Sequence, residues 1–442
     1  VTSTETDPQV TPQKSLAERE ADYEAFVWKN LPRNYFANFM HGMLGMTGMR
    51  ILNAPTFLPA YLFSVSGSTT IVGLGLALQQ VGQIVSPVVA AGLVENQRKV
   101  MRFAAWIGGI ARLQILALAL CGFFIHDKTA LTASLLLFIT LFGLFMGAQQ
   151  VVFQLLISKV IPLARRGRLQ AWRNMTGGLI AAVISFLAGR YLIGHNVLGN
   201  GYATTFLLSA ALTTAGLTIL QFVMREPETV TIREKSRITE RLREFPRLLT
   251  ANRPYMFFVI VQALAAIGRM AVPFYILYAG ETIKMTGANI GILSIAYLGA
   301  DTVANLVWGY LGDKKGFRIV TVGALALWAA ATVMLLQVHS LPLIFIAFCG
   351  LGGSQSGWQM SAQTMILEFG SRHELPMRMA LSSTAQGFFA ALAPLLGGVI
   401  GSHLGYPALF WTSAGVLSLG LVLMLARVPD PRSTLVIPKA AE

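Results

Sequence analysis

Charged side chains are scarce in this chain. Asp, Glu, Lys and Arg make up 12% of 442 residues, about half of the roughly 25% usual in soluble domains, too few to coat a soluble protein of this length. Cysteine is nearly absent. Cys121 and Cys349 both lie in apolar runs, which excludes a disulfide framework and a zinc-type cluster. Acids number 20 against 34 Lys and Arg, leaving a net charge of +14 and a pI near 10.0. Such a balance suits nucleic acid or a membrane, but a nucleic-acid binder needs its cations on a polar folded face, which this composition does not supply. Residues 1–27 lack the basic-then-apolar layout of a secretion signal and read as a disordered or loosely helical cytosolic tail. Val1 in place of Met suits a bacterial alternative start codon or a trimmed chain, so a bacterial source is expected. No nucleotide-binding loop or His/Glu metal spacing occurs, and the six histidines lie in separate segments. No enzyme, cofactor or metal site is expected.

What is present is hydrophobic length. Hydrophobic residues make up 54% of the chain and the mean hydropathy is +0.60. A spanning helix needs roughly 20 mostly apolar residues to cross about 30 Å of hydrocarbon at 1.5 Å per residue. Twelve segments qualify: 34–63, 68–93, 101–125, 130–161, 174–194, 202–224, 254–280, 287–311, 318–338, 341–367, 378–402 and 406–427. The prediction is an all-α integral membrane protein.

Lys and Arg accumulate on the cytoplasmic side of membrane proteins. With the N-terminus inside, 28 of the 34 basic residues fall in the tails or the inner loops, which places both termini in the cytoplasm. Lys128, Arg190 and Lys284 fall outside; Arg50, Arg112 and Arg269 remain within spans. The organisation is a tail (1–33), a six-helix bundle (34–224), a charged linker (225–253) read as a solvated cytosolic helix, a second bundle (254–427) and a tail (428–442).

Six spans, a linker and six more suggest duplication, and repeats set architecture in transporters. Gly48-Met49-Arg50, followed by Pro55 and FLPAYLF, recurs as Ile267-Gly268-Arg269, followed by Pro273 and FYILYAG. Gly67 and Gly287 follow about 17 residues on. Gly147-Ala148-Gln149 of span four recurs as Gly353-Ser354-Gln355 of span ten.

The loop after span eight reads Gly309-Tyr310-Leu311-Gly312-Asp313-Lys314-Lys315-Gly316-Phe317-Arg318. It resembles the signature loop of the major facilitator superfamily, and the six-plus-six plan resembles that family throughout. Gly309 permits close helix contact, Asp313 sits where it can cap or pair with helix ends, and Lys314 and Arg318 hold the hairpin inside. The counterpart after span two, Gly92-Leu93-Val94-Glu95-Asn96-Gln97-Arg98-Lys99, is degenerate: the acid is displaced and the second glycine is absent. The resemblance implies a transporter in which two six-helix bundles, related by a pseudo-twofold axis, rock about a midplane site. A topology-setting hairpin without a gating role is the competing reading of these loops.

The informative charges are those at mid-membrane: Arg50, Arg112, Arg269 and Asp301. A charge facing lipid costs on the order of 3 kcal/mol on insertion scales, so each should face the interior or a partner. Arg50 lies 16 residues into span one and Arg269 15 into span seven. Spans one and seven line the central cavity in the family, so the repeat would set two guanidinium forks across it as a clamp for phosphate or carboxylate. This resembles the organophosphate/phosphate antiporters of the superfamily, a likeness confined to Arg50 and Arg269. The alternative is that Asp301 neutralises Arg269 while Arg50 caps carbonyls near Pro55. Asp301 is a candidate proton-coupling carboxylate, its protonation freeing Arg269 for substrate. Arg112 meets a lipid headgroup or a backbone carbonyl and is left outside the site.

Amides are softer candidates. Gln355, Gln359 and Gln363 share one face of span ten beside Trp358; Gln79 and Gln83, and Gln150 and Gln154, repeat the i, i+4 spacing. Gln83, Gln154, Gln359 and Trp358 are taken as substrate-binding candidates, with interhelical hydrogen bonding as the competing reading. The expected function is secondary active transport of a small or amphiphilic organic anion across the inner membrane, coupled to protons or by exchange, by a monomer without nucleic-acid partners. Efflux of hydrophobic compounds or lipids, suited to the 17 Met and 26 Phe, is the alternative; the APLLGG run of the exporters' antiporter motif falls in span eleven rather than span five. A sensor role is more distant.

Overall fold

The computed structural model describes residues 15–94, 97, 99–228, 249–250, 252–369 and 375–430. These are almost wholly helical. The N-terminal segment forms α1 (Leu16–Lys29), within the tail expected to be disordered or loosely helical. Its start is a capping box: Glu18 N–H donates to Ser15 Oγ, and Ser15 N–H donates to the Glu18 carboxylate. Tyr23 Oη donates to the Lys159 carbonyl at 2.9 Å and fastens α1 to the end of span four.

Span one is two helices, α2 (Leu31–Asn53) and α3 (Leu58–Ser66). The break falls at Pro55: proline has no N–H to give, and it drives Ala54 out of the helical region to φ −59°, ψ 136°. Span seven breaks in the corresponding place. α9 (Arg253–Gly268) ends where a 3₁₀ segment, Arg269–Phe274, carries Pro273, and α10 (Tyr275–Thr282) resumes. Both spans were expected to be continuous, because proline inside an apolar run does not lower hydropathy enough to mark an interruption. The duplication extends to the supports of the breaks. Ser209 of span six donates to the Gly48 carbonyl and Ser413 of span twelve to the Gly268 carbonyl, each at 2.6 Å.

The remaining spans are α4 (Thr69–Val94), α5 (Met101–Phe124), α6 (Lys128–Val160), α7 (Leu163–Leu187, continued by a π turn Ala188–Ile193), α8 (Gly201–Val223), α11 (Gly287–Lys315), α12 (Phe317–Gln337) and α13 (Leu341–Thr364). α14 (Leu375–Arg427) supplies spans eleven and twelve as two arms, interrupted at Gly405 with φ 81°. Most of the linker 225–253, expected as a cytosolic helix, lies outside the described residues, as do Glu95 and Arg98; Gly92 sits in the last turn of α4.

The two bundles meet along α4 against α14 and α7 against α11. At the membrane face away from the termini this contact is backbone on backbone. A methyl on Gly73 would lie 2.3 Å from the Pro394 carbonyl oxygen, and one on Gly189 would lie 2.4 Å from the Gly291 nitrogen. Thr56 and Ser294 share a buried hydrogen bond of 2.6 Å, and Thr70 donates to Ser402 at 3.1 Å. That face is shut.

Candidate functional site

Arg50 lies three residues from the end of α2. Its Nη1 donates to Asp301 Oδ2 at 2.6 Å and to Thr302 Oγ1 at 3.2 Å, both from α11 of the other bundle. The arginine side chain is 22% exposed and the aspartate 13%. The expectation that Asp301 neutralises Arg269 is therefore corrected: Asp301 belongs to Arg50. The cause is packing. α11 sits against α7, where Gly178 leaves room for Thr302 and the Arg50 guanidinium beside it, and this turns Asp301 toward span one rather than span seven.

Arg269 opens the 3₁₀ break and faces a cavity of about 160 Å³, walled by Asn53 and Pro55 of the first break, Gln79 and Gln80 of α4, and Pro273. Among the described residues no carboxylate forms a salt bridge with it. The Tyr297 and Tyr275 side chains interact with it electrostatically. Gln79 Nε2 donates to Asn53 Oδ1 at 2.8 Å, and Asn53 Nδ2 donates to the Met49 carbonyl at 2.9 Å, so the amide wall is held in position. The two repeat-related arginines thus lie at the interface of the bundles, one paired and one lining a small cavity of amide and apolar side chains.

The other candidates divide. Gln154 and Gln359 are exposed, Gln83 is half-buried with its backbone packed on Gly147, and Trp358 is 3% exposed in the core of the second bundle. Gln355 is buried, and the face it shares with Gln359 and Gln363 emerges only at the latter two. In the signature loop Gly316 ends α11 with φ 90°. Arg318 Nε donates to the Val428 carbonyl at 2.7 Å and Nη2 to Leu425 at 3.2 Å, tying span nine to the end of span twelve. Lys314 lies 5.7 Å from the Tyr310 ring, Asp313 is exposed, and Gly309 meets Met360 in ordinary contact.

Arg112 takes the backbone-carbonyl alternative. It donates to the Thr213 and Gly108 carbonyls, each at 2.7 Å, and to Gln149 Oε1 at 3.0 Å. It also lines a groove of about 760 Å³ between α5 and α8, rimmed by exposed Trp106 and Leu113 and separate from Arg50 and Arg269.

Two features were missed. Arg173 and Lys159 read as loop cations, yet α7 starts at Leu163, which puts Arg173 ten residues inside it, and both side chains are buried. Pro162 at the helix start was the available signal. Glu226, read as linker, is buried with Lys159 at 2.5 Å and accepts from the backbone N–H groups of Val100 and Met101.

The fold and site define an integral membrane protein of twelve spans in two six-helix bundles, with ionisable groups at mid-depth where the bundles meet. Residues 35–276 and 258–442 each match the Major Facilitator Superfamily, and the chain belongs to it. The Multidrug resistance protein MdtG of Salmonella choleraesuis (strain SC-B67) is 28% identical over 160 residues, 35% of this chain and 39% of its own length. MdtG of Enterobacter lignolyticus (strain SCF1) is 29% identical over 162 residues, 35% of this chain and 38% of its own. The match therefore spans less than half the length of these relatives. The nucleoside transporter NupG superposes with a TM-score of 0.65 at 14% identity, covering 89% of this chain and 98% of its own. A D-xylose-proton symporter superposes with a TM-score of 0.68 at 12% identity, covering 91% and 99%. These structural likenesses establish the fold.

Proposed function

We propose that this protein is a secondary active transporter, not an enzyme, that moves a small or amphiphilic organic anion by alternating access. The observation that carries the reading is Arg269: a guanidinium at mid-depth lining a cavity shared with the amides of Asn53, Gln79 and Gln80, with no carboxylate paired to it among the described residues. An intramembrane cation without a counter-ion is costly, and a bound anion supplies one. The asymmetry of Lys and Arg supports cytoplasmic termini and insertion in a bacterial inner membrane. In that orientation the sealed face is the outer one, and substrate would reach the site from the cytoplasmic side. Exposed Gln150, Gln154, Gln359 and Gln363 support a water-filled vestibule, since amides within spans are costly against lipid.

Asp301 provides the coupling. While ionised it holds Arg50; protonated, it releases the guanidinium, which then joins Arg269 on the substrate. Proton and anion are thereby linked through one ion pair between bundles. The test is uptake of phosphorylated and carboxylated solutes into proteoliposomes, with and without a pH gradient, by wild type and Arg269→Gln. Saturable anion uptake that Arg269→Gln abolishes is the expected result; uptake unchanged by the substitution would refute the reading.

Efflux of hydrophobic compounds is the second reading, favoured by the likeness to the Multidrug resistance protein MdtG. It predicts transport of lipophilic cations or neutral compounds that is indifferent to Arg269→Gln.

A further inference from the structure

The first bundle carries two buried arginines that the central site does not use. Arg112 and Arg173 are 4% and 9% exposed, and among the described residues neither has a carboxylate partner. Both act electrostatically on His41, which is 6% exposed and lies flat against Phe153 with centroids 4.7 Å apart.

The hydrogen-bond account of this cluster does not close. Arg112 is spent on two carbonyls and Gln149, and its Nη2 sits 3.5 Å from His41 Nε2. A guanidinium only donates, so Nε2 is the acceptor and the neutral ring carries its proton on Nδ1. That Nδ1 is buried and has no partner. Arg173 Nε is likewise buried without one, and no hydrogen bond to Arg173 exists among the described residues. Its side chain is seated on Gly42, where a methyl would overlap Nε at 1.7 Å. Two buried N–H donors, Arg173 Nε and His41 Nδ1, thus lack an acceptor, and Arg173 packs on Gly42, the residue next to His41. Buried charges in proteins are paired, and buried donors are satisfied.

We infer that the first bundle binds an oxyanion, a carboxylate or phosphate group, between Arg173 and His41, at a site distinct from the central cavity. Gly42 makes the seat, and the stacking on Phe153 fixes the plane of the His41 ring. His41 precedes Arg50 by nine residues on α2, about 13 Å along the helix at 1.5 Å per residue, so the site lies nearer the face that carries the termini. It stands on the Arg173–His41 geometry and does not require the reading of Arg269 as a substrate ligand.

The test is titration calorimetry of the purified full chain in detergent with inorganic phosphate and with acetate, using wild type, Arg173→Gln, His41→Phe, Arg173→Lys and Arg269→Gln. In wild type, saturable binding is expected that weakens at least tenfold in Arg173→Gln and several-fold in His41→Phe, which keeps the stack but removes the donor. Arg173→Lys, which keeps the charge, should retain part of it and guards against loss of folding. Affinity unchanged in Arg173→Gln, or no anion binding by folded wild type, would overturn the inference. Loss confined to Arg269→Gln would also overturn it while supporting the central site; loss confined to Arg173→Gln supports it whatever becomes of the central reading. Binding of a short-chain phosphatidylglycerol alongside phosphate supports the site with a lipid headgroup as its source.

Discussion

Asp301 of the second bundle grips Arg50 of the first at 2.6 Å, while Arg269, the repeat partner of Arg50, has no carboxylate bound to it among the described residues. The ion pair therefore does two things at once: it neutralises one central cation and links the bundles at mid-depth.

Asp301→Asn tests the first of these. The amide still offers Arg50 an acceptor oxygen but cannot take up a proton. Gradient-driven accumulation in proteoliposomes should fall to the level without a gradient, with counterflow exchange retained. Driven uptake surviving the substitution would exclude Asp301 as the coupling group.

The sealed face makes a separate prediction. Gly189→Ala places a methyl 2.4 Å from the Gly291 nitrogen, and backbone cannot step aside as a side chain can. Overpacking of roughly 1–3 kcal/mol corresponds to roughly a 5–150-fold shift in a two-state equilibrium, here toward opening of that face. Thiol labelling of Thr56→Cys, buried at the closed contact, should accelerate in the Gly189→Ala background; an unchanged rate would show that the face yields without opening.

Lys159 and Glu226, each 5% exposed, join the ends of spans four and six and the start of span three. Removing one member of a buried pair costs roughly 3–5 kcal/mol because the other charge is stranded. Lys159→Ala should lower the thermal midpoint in detergent markedly, and the double variant Lys159→Met, Glu226→Gln should recover much of the loss. Equal damage in single and double variants would argue against a stranded charge.

Docking of α1 carries a pH signature. Burial pushes the Tyr23 phenol above its ordinary value near 10, against the pull of Arg166 and with the help of Glu226. A raised pKa favours the protonated phenol, so the contribution is fully present below pH ~10 and is lost as pH rises through the folded value. Tyr23→Phe should weaken docking by about 1 kcal/mol at neutral pH, seen as faster proteolysis within 16–29. In wild type the same effect should emerge only in strong alkali.

Hydropathy and loop charge were sufficient for twelve spans and two bundles, because crossing hydrocarbon demands apolar length and little else. The repeat around Arg50 and Arg269 was also legible, since proline and glycine keep their places in both copies. The helix breaks were not, because Pro55 and Pro273 are embedded in apolar residues. Nor was the partner of Asp301: which way a residue points around a helix, and which bundle it meets, is decided by packing of the neighbouring Thr302 against Gly178, far away in sequence. Arg173 and Lys159 escaped because cations near helix ends resemble loop residues until the helix boundary is known. Trp358 and Gln359 adjoin in sequence but diverge in space, one in the core and one exposed.

The serine-to-glycine bonds at both breaks, Ser209 to Gly48 and Ser413 to Gly268, show a skeleton copied faithfully between halves. The electrostatics were not copied with it, since among the described residues the Arg50 break is held by an acid from the opposite half and the Arg269 break by none. The halves have therefore diverged: one arginine is paired with a carboxylate across the interface, and the other has none among the described residues. Exchanging Arg50 and Arg269 with their surroundings would preserve the architecture and move the ion pair to the other half's break.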